Sequence, residues 1–399
     1  MKTSFFIILL LFGHGLQVHA QTARYDAKRI KPSATDFADT IAIEWEREQI
    51  FLPVVMNGCR YRFLFDTGAA QTMVYADTPV LGSTPIGHIR SHDAIGRVDT
   101  VPVVCLPPMT LGSTTFSGCR ATVQQRPVGG RNCDGIVGFD IVNSGINAKI
   151  DVRNNCLILS DRKNFFNHEQ GFDITYKLKY HVPYITVIPF ADFREEMLFD
   201  TGSRRFITMN KGSFDLLANK TGALLESQIE GRSVGRHAIG LSGTEPRGEV
   251  VFMNLKDLRV GDCPFTDVHT ITTQGGSHLG AALLNLGTLV INPKRKRLRF
   301  QPYTQERPVR VGNKQTDIAF VQEKGMPCVG LVWERSIPYR QGFREGDIIT
   351  QIDGFPVKNF THFVVWPFIM GREYLFTVRD KAGRERQIRW VRIPIEKEK

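Results

Sequence analysis

The chain has 399 residues but only seven cysteines, and no two of them stand in Cys-x-x-Cys spacing. A zinc ribbon or a thiol-redox centre is therefore not expected. Seven is odd, so at least one thiol is unpaired within the chain. Five of them (Cys59, Cys105, Cys119, Cys133 and Cys156) fall before residue 160, where some bridging is expected without an assignable pattern. No Gly-x-Ser-x-Gly elbow and no phosphate-binding glycine loop occurs, which sets aside serine hydrolases and nucleotide enzymes. Beyond the first twenty residues no apolar run is long enough to span a bilayer, so stable membrane insertion is not expected. Acid is scarcer than base, giving a net charge of +11. The densest basic run, Lys294 to Arg297, lies between apolar stretches where a hairpin turn is expected. It reads as a solvated surface suited to acidic partners or a membrane surface, not as a nucleic-acid site. His88 and His92 stand four apart near Asp93, but in loop and hairpin sequence, so no metal site is expected.

What is present begins with a leader. Lys2, the apolar run Phe5 to Phe12 and the small residues Val18 and Ala20 form the pattern of a secretory signal over residues 1–20, cut before Gln21. The mature protein is expected to be exported, periplasmic or secreted. A polar, basic arm follows to about Asp39.

The centre of the chain is a pentapeptide that occurs twice: Leu64-Phe65-Asp66-Thr67-Gly68 and Leu198-Phe199-Asp200-Thr201-Gly202. Each copy reads as a buried strand that ends on a carboxylate and turns on glycine. The flanks repeat in the same order. Leu52-Pro53-Val54-Val55 is answered by Val182-Pro183-Tyr184-Ile185, and His92 to Gly96 by His237 to Gly240. Val137-Gly138-Phe139 is answered by Leu279-Gly280-Ala281, and each unit closes with a hairpin. Asn57-Gly58 between apolar runs marks the hairpin that delivers Asp66. The order implies a tandem duplication, mostly β, with lobes at 21–165 and 166–307. A third, smaller β-rich unit with a helix or two runs over 315–395, centred on Gly342-Phe343-Arg344-Glu345-Gly346-Asp347-Ile348-Ile349.

Duplicated lobes pack about a pseudo-two-fold axis, so equivalent loops meet there. Asp66 and Asp200 would then face each other. Two carboxylates within about 3 Å cannot both ionise cheaply and share one proton. The ionised one can take a proton from water while the other polarises a peptide carbonyl. Gly68 and Gly202 permit close approach, and Thr67 and Thr201 can bond to the opposite loop. Ala69 follows one copy and Ser203 the other. A Ser203 bond to Asp200 would leave the shared proton more on Asp66.

The doubled Leu-Phe-Asp-Thr-Gly loop, each followed by an apolar-Gly element (Val137-Gly138 and Leu279-Gly280), resembles the aspartic proteases of the pepsin and retropepsin type. The third unit resembles a PDZ domain through Gly342 to Ile349 and Ile352-Asp353-Gly354. The arrangement is similar to exported bacterial aspartyl proteases with a C-terminal PDZ domain. That resemblance implies two β lobes plus a PDZ-like α+β domain, a peptide or protein substrate, catalysis by Asp66 and Asp200, no cofactor and a monomer. It also implies a flap, at Ala94-Ile95-Gly96 or Ala238-Ile239-Gly240, and a groove for a peptide end along Val329-Gly330-Leu331. The alternative from another class is a non-catalytic peptide-binding or scaffold protein that keeps the fold.

Overall fold

The Asn57-Gly58 pair has φ of 50° and 77°. Two successive left-handed residues make the tight turn whose twist matches a right-twisted hairpin. Ile50–Met56 and Cys59–Phe65 accordingly pair antiparallel across it. A computed structural model of the chain describes residues 22–78, 84–92, 98–126, 132–240, 243–369 and 371–391. The leader at 1–20 and the flap candidate Ala94-Ile95-Gly96 lie outside the described residues.

The structure is mainly β. Strand alternation explains how each half builds both a core and a site. Phe63 and Phe65 point into the main apolar core, as do Met197 and Phe199. Leu64 and Asp66, and likewise Leu198 and Asp200, therefore project from the opposite face. Against the strand Cys59–Phe65 lies the short parallel strand Gly135–Val137, with Ile136 opposite Leu64. Against Phe193–Asp200 lies His278–Gly280, also parallel, with His278 opposite Leu198.

The two halves join through their closing hairpins. Asn147–Asp151 pairs with Cys156–Ser160 and Gly287–Asn292 with Arg297–Pro302. These hairpins pair with each other antiparallel, Ala148 to Ile291, Lys149 to Val290 and Ile150 to Leu289. Counted from their turns, Ala148 is equivalent to Leu289 and Ile150 to Ile291. The pairing is therefore symmetric about Lys149 and Val290. The sheet that carries the second half's strands thus runs on into strands of the first half, ending on Ala38–Ala42. The basic run Lys294 to Lys296 occupies the turn of one hairpin.

From Ile318 a separate sheet forms, ordered Ile318–Glu323, Met326–Val332, Ile348–Ile352, Glu373–Arg379 and Glu385–Val391. Two short helices, Ile337–Gln341 and Phe360–Val364, accompany it. Its own core gathers Val329, Phe343, Ile349, Phe376 and Ile388. Gly342 closes the first helix at φ 113°, which fits glycine and few other residues. All seven cysteines are free thiols, so the bridging expected among the first five is not formed. Among the described residues no helix is long and apolar enough to cross a membrane.

Candidate active site

Two loops with the same backbone bonds meet where the halves join. After each strand the chain turns at once, with the Asp carboxylate accepting from the Gly two residues on: Gly68 N–H to Asp66 Oδ1 at 2.9 Å and Gly202 N–H to Asp200 Oδ1 at 2.8 Å. These self-capped turns fix the direction of each carboxylate.

The threonines then tie loop to loop. Thr67 N–H donates to Thr201 Oγ1 at 3.0 Å, and Thr201 N–H donates to Thr67 Oγ1 at 3.0 Å. Each hydroxyl in turn donates to a strand carbonyl of the opposite half, Thr67 to Phe199 O at 2.7 Å and Thr201 to Phe65 O at 2.8 Å. Both threonines are fully buried. In such surroundings an unpaired N–H or carbonyl is costly, so four satisfied bonds hold the halves in one register.

The glycines face the opposite carboxylates. A Cβ on Gly68 would stand 2.5 Å from Asp200 Oδ1, and one on Gly202 2.3 Å from Asp66 Oδ2. Each carboxylate thus occupies the space a side chain on the other loop would need. Asp66 is 8 % and Asp200 7 % exposed, so both keep a narrow opening to solvent. Gln49, which the sequence does not single out, adds a further link. Its Nε2 donates to Gly202 O at 3.4 Å, and its Oε1 accepts from Arg204 Nη2 at 2.8 Å.

Behind the first loop sits Asp140. It accepts from Thr72 N–H and Thr72 Oγ1, both at 2.9 Å, and from Ile141 N–H at 3.1 Å. Burial pushes its carboxyl up to about 6, against the pull of those bonds. Thr72 Oγ1 also accepts from Gly138 N–H, so this cluster pins the apolar-Gly element to the loop that follows Asp66.

Ser203 does not make the expected bond. Its backbone N–H donates to Asp200 O and its carbonyl accepts from Ala281 N–H, but no hydrogen bond joins its hydroxyl to Asp200. Its Oγ lies against Gly280, 3.1 Å from where a Cβ there would be. The chemical asymmetry of the two loops comes instead from the strand beside Asp200. His278, Thr208 and Tyr184 take the register positions held in the first half by Ile136, Met73 and Phe51. The strand register thus shifts the expected match of Val182-Pro183-Tyr184-Ile185 with Leu52-Pro53-Val54-Val55 and makes Tyr184 equivalent to Phe51 rather than Val54. Aligning Leu279-Gly280 with Val137-Gly138 in the sequence and stepping back one residue exposes the His278-for-Ile136 exchange. That mismatch is the signal the motif comparison passes over.

In the second half, Ile239–Gly240 pairs with Gly243–Thr244 as a small separate hairpin, and Ile239 is 46 % exposed. Its base is held by the buried Glu245, whose Oε1 accepts from His237 N–H and Ala238 N–H, each at 2.8 Å. Oε2 accepts from Thr273 Oγ1 at 2.7 Å and Gln274 N–H at 2.9 Å. Burial is the largest influence on His237 and lowers it to about 4.

The third unit corrects one expectation. Val329-Gly330-Leu331 does not line an open groove, because the protein's own second half covers this strand. Gly330 O accepts from Arg236 N–H at 2.8 Å, and Ser233 Oγ donates to Val332 O at 3.2 Å. Leu331 is fully buried in a cluster with Val250, Phe252 and Ile271, and Trp333 stacks on Phe252 at 5.7 Å. Sequence shows a strand's two faces but not which neighbour takes its edge.

Among the described residues no group of histidine, cysteine and acidic side chains has the arrangement of a metal site. Comparison with known proteins places the first loop in a family context. Residues 52–141 match the family model described as aspartyl protease, a stretch that carries Asp66, Thr67, Gly68 and the Val137-Gly138 element. No curated protein matches the chain. Among solved structures, the aspartic proteinase from Irpex lacteus is similar at 13 % identity and a TM-score of 0.43, over 67 % of this chain and 97 % of that one.

Proposed function

We propose that the protein is an aspartic endopeptidase in which Asp66 and Asp200 act as a pair on a water between them. The observation that carries this reading is the reciprocal lock of Thr67 and Thr201, with each glycine set against the opposite carboxylate. A buried lock spanning two halves has no evident use in a scaffold, whereas it holds two acids in the geometry that general acid-base catalysis needs.

One proton is shared by the pair, the arrangement for which aspartic proteases are the reference case. The ionised carboxylate takes a proton from water as the water oxygen attacks the peptide carbonyl carbon. The protonated carboxyl hydrogen-bonds to the carbonyl oxygen and gives it the proton, so a neutral gem-diol forms. The carboxyl that received the water's proton then passes a proton to the peptide nitrogen. The C–N bond breaks, a gem-diol hydroxyl returns its proton to the other carboxylate, and acid and amine leave. No covalent enzyme intermediate and no cofactor enters.

The domain reading belongs to the same proposal: duplicated lobes at 21–165 and 166–307, a PDZ-like unit at 315–395, and export directed by residues 1–20. The symmetric pairing about Lys149 and Val290 supports the duplication. The helix that ends on Gly342, followed by the turn into Ile348–Ile352, supports the PDZ-like reading. The test is cleavage of a peptide library by the purified protein, by Asp66→Asn and by Asp200→Asn, with and without a pepstatin-type inhibitor. Each substitution should lower the rate by about 10²–10⁴-fold, the usual scale for losing an acid-base group. Equal cutting by the Asn variants, or none by the wild type from acid to neutral pH, overturns the reading.

A further inference from the structure

The faces that flank the two carboxylates are not alike. Registered neighbours in a sheet project to one side. In the first half Phe51, Leu64, Ile136 and Met73 therefore share the face of Asp66. They form one apolar cluster, each at most 4 % exposed. That floor is sealed.

In the second half the corresponding residues are Tyr184, Leu198, His278 and Thr208, on the face of Asp200. Three of the four now carry a polar group. Tyr184, Leu198 and His278 are half-buried rather than sealed. Among the described residues no hydrogen bond engages the Tyr184 hydroxyl, the Thr208 hydroxyl or the His278 ring. None of these polar atoms is fully shut off from solvent, so each is open to bond water or a ligand. The electrostatics agree with the placement. Burial draws His278 down to about 4 while the charge of Asp66 opposes it. Burial raises Tyr184, with Asp200 among the smaller charges that act on it. These groups look onto the carboxylates from the second half, and at neutral pH the imidazole there is uncharged.

We propose that Tyr184, Thr208 and His278 form a polar subsite beside Asp200 that selects substrates with an uncharged hydrogen-bonding side chain, a carboxamide or hydroxyl, on one side of the scissile bond. This rests on the peptidase reading above. A neutral ring and two hydroxyls can both donate and accept, which suits asparagine, glutamine, serine and threonine. An acidic side chain would meet the charge of the carboxylate pair. An aliphatic one would strip water from three polar groups and return no bond. Sites built to hydrogen-bond a substrate reject the apolar analogue more strongly than apolar pockets reject a polar one.

The test profiles a peptide library cut by the wild-type chain, by the double variant His278→Ile with Thr208→Met, which copies the first half, and by His278→Gln. The wild type should favour Gln or Asn over Leu at one position next to the cut by about tenfold, the scale of one good hydrogen bond. The double variant should reverse that ratio, and His278→Gln should keep it. The readout is a preference ratio within one enzyme, so a loss of folded fraction leaves it unchanged. Asp66→Asn separates the two levels. If it cuts as well as the wild type, the peptidase reading fails. If it is dead but the wild type and the double variant share the same preferences, the polar-subsite inference fails alone. A preference for Leu in the wild type at both positions also overturns it.

Discussion

Thr67 and Thr201 each accept a hydrogen bond from the other's backbone N–H at 3.0 Å, across 134 positions of sequence. Each hydroxyl passes a bond onward to the far strand. Thr67→Val and Thr201→Val keep the shape but remove an acceptor and a donor at once. A buried N–H and a carbonyl are then left without partners. Each substitution should cost about 2–6 kcal/mol of stability at 1–3 kcal/mol per stranded group, read by urea unfolding. Thr→Ser keeps the bonds and should cost far less. Equal losses for Ser and Val would show that packing, not hydrogen bonding, makes the lock.

Gly68→Ala places a Cβ 2.5 Å from Asp200 Oδ1, and Gly202→Ala one 2.3 Å from Asp66 Oδ2. Real Cβ atoms do not tolerate such distances, so the carboxylates must move apart. A displacement near 1 Å costs about 100-fold in rate. Peptide cleavage should fall by at least that much in both variants, with kcat carrying the loss. Unchanged turnover would show that the carboxylates do not need their present spacing.

Asp140 gives a pH signature. Burial raises its folded carboxyl to about 6 from an ordinary 3.8. The folded state therefore holds a proton in this window that the unfolded chain releases. Stability should fall as pH rises from about 4 to about 6, by roughly 3 kcal/mol at 1.4 kcal/mol per pH unit. Asp140→Asn should flatten that slope. Denaturant titrations of both proteins across the window check it, and an unchanged slope in the variant assigns the effect elsewhere.

The third unit and the second half approach closely, backbone to backbone. A Cβ on Gly235 would stand 2.4 Å from Gly330 O, and one on Gly330 would stand 2.4 Å from Arg236 O. Gly330→Ala should loosen the unit from the second half and open Leu331 and Trp333 to solvent. Limited proteolysis between residues 313 and 318 should speed up, and tryptophan emission should shift to the red. By contrast, Arg247→Ala removes a bond from an exposed arginine to Glu345 and should cost less than about 1 kcal/mol. If Gly330→Ala is as resistant as the wild type, that contact does not hold the unit.

The sequence alone determined local matters. A repeated Leu-Phe-Asp-Thr-Gly places an acid at a strand end and a glycine in the turn, and Asn57-Gly58 fixes the hairpin before it. Alternation sends Phe63 and Phe65 one way and Leu64 and Asp66 the other. These are properties of neighbours along the chain, so a pattern read in order reveals them. The tertiary structure decided what depends on partners far apart. It paired Thr67 with Thr201 and brought Gln49 to Gly202. It left the Ser203 hydroxyl without its expected bond to Asp200 and kept all seven thiols free. It closed the edge of Val329-Gly330-Leu331 with Arg236, and set His278, Thr208 and Tyr184 where the first half has apolar side chains. Packing of the two halves about Lys149 and Val290 chose those partners, because hydrogen bonds and burial are satisfied across space and carry no mark in the local order of residues.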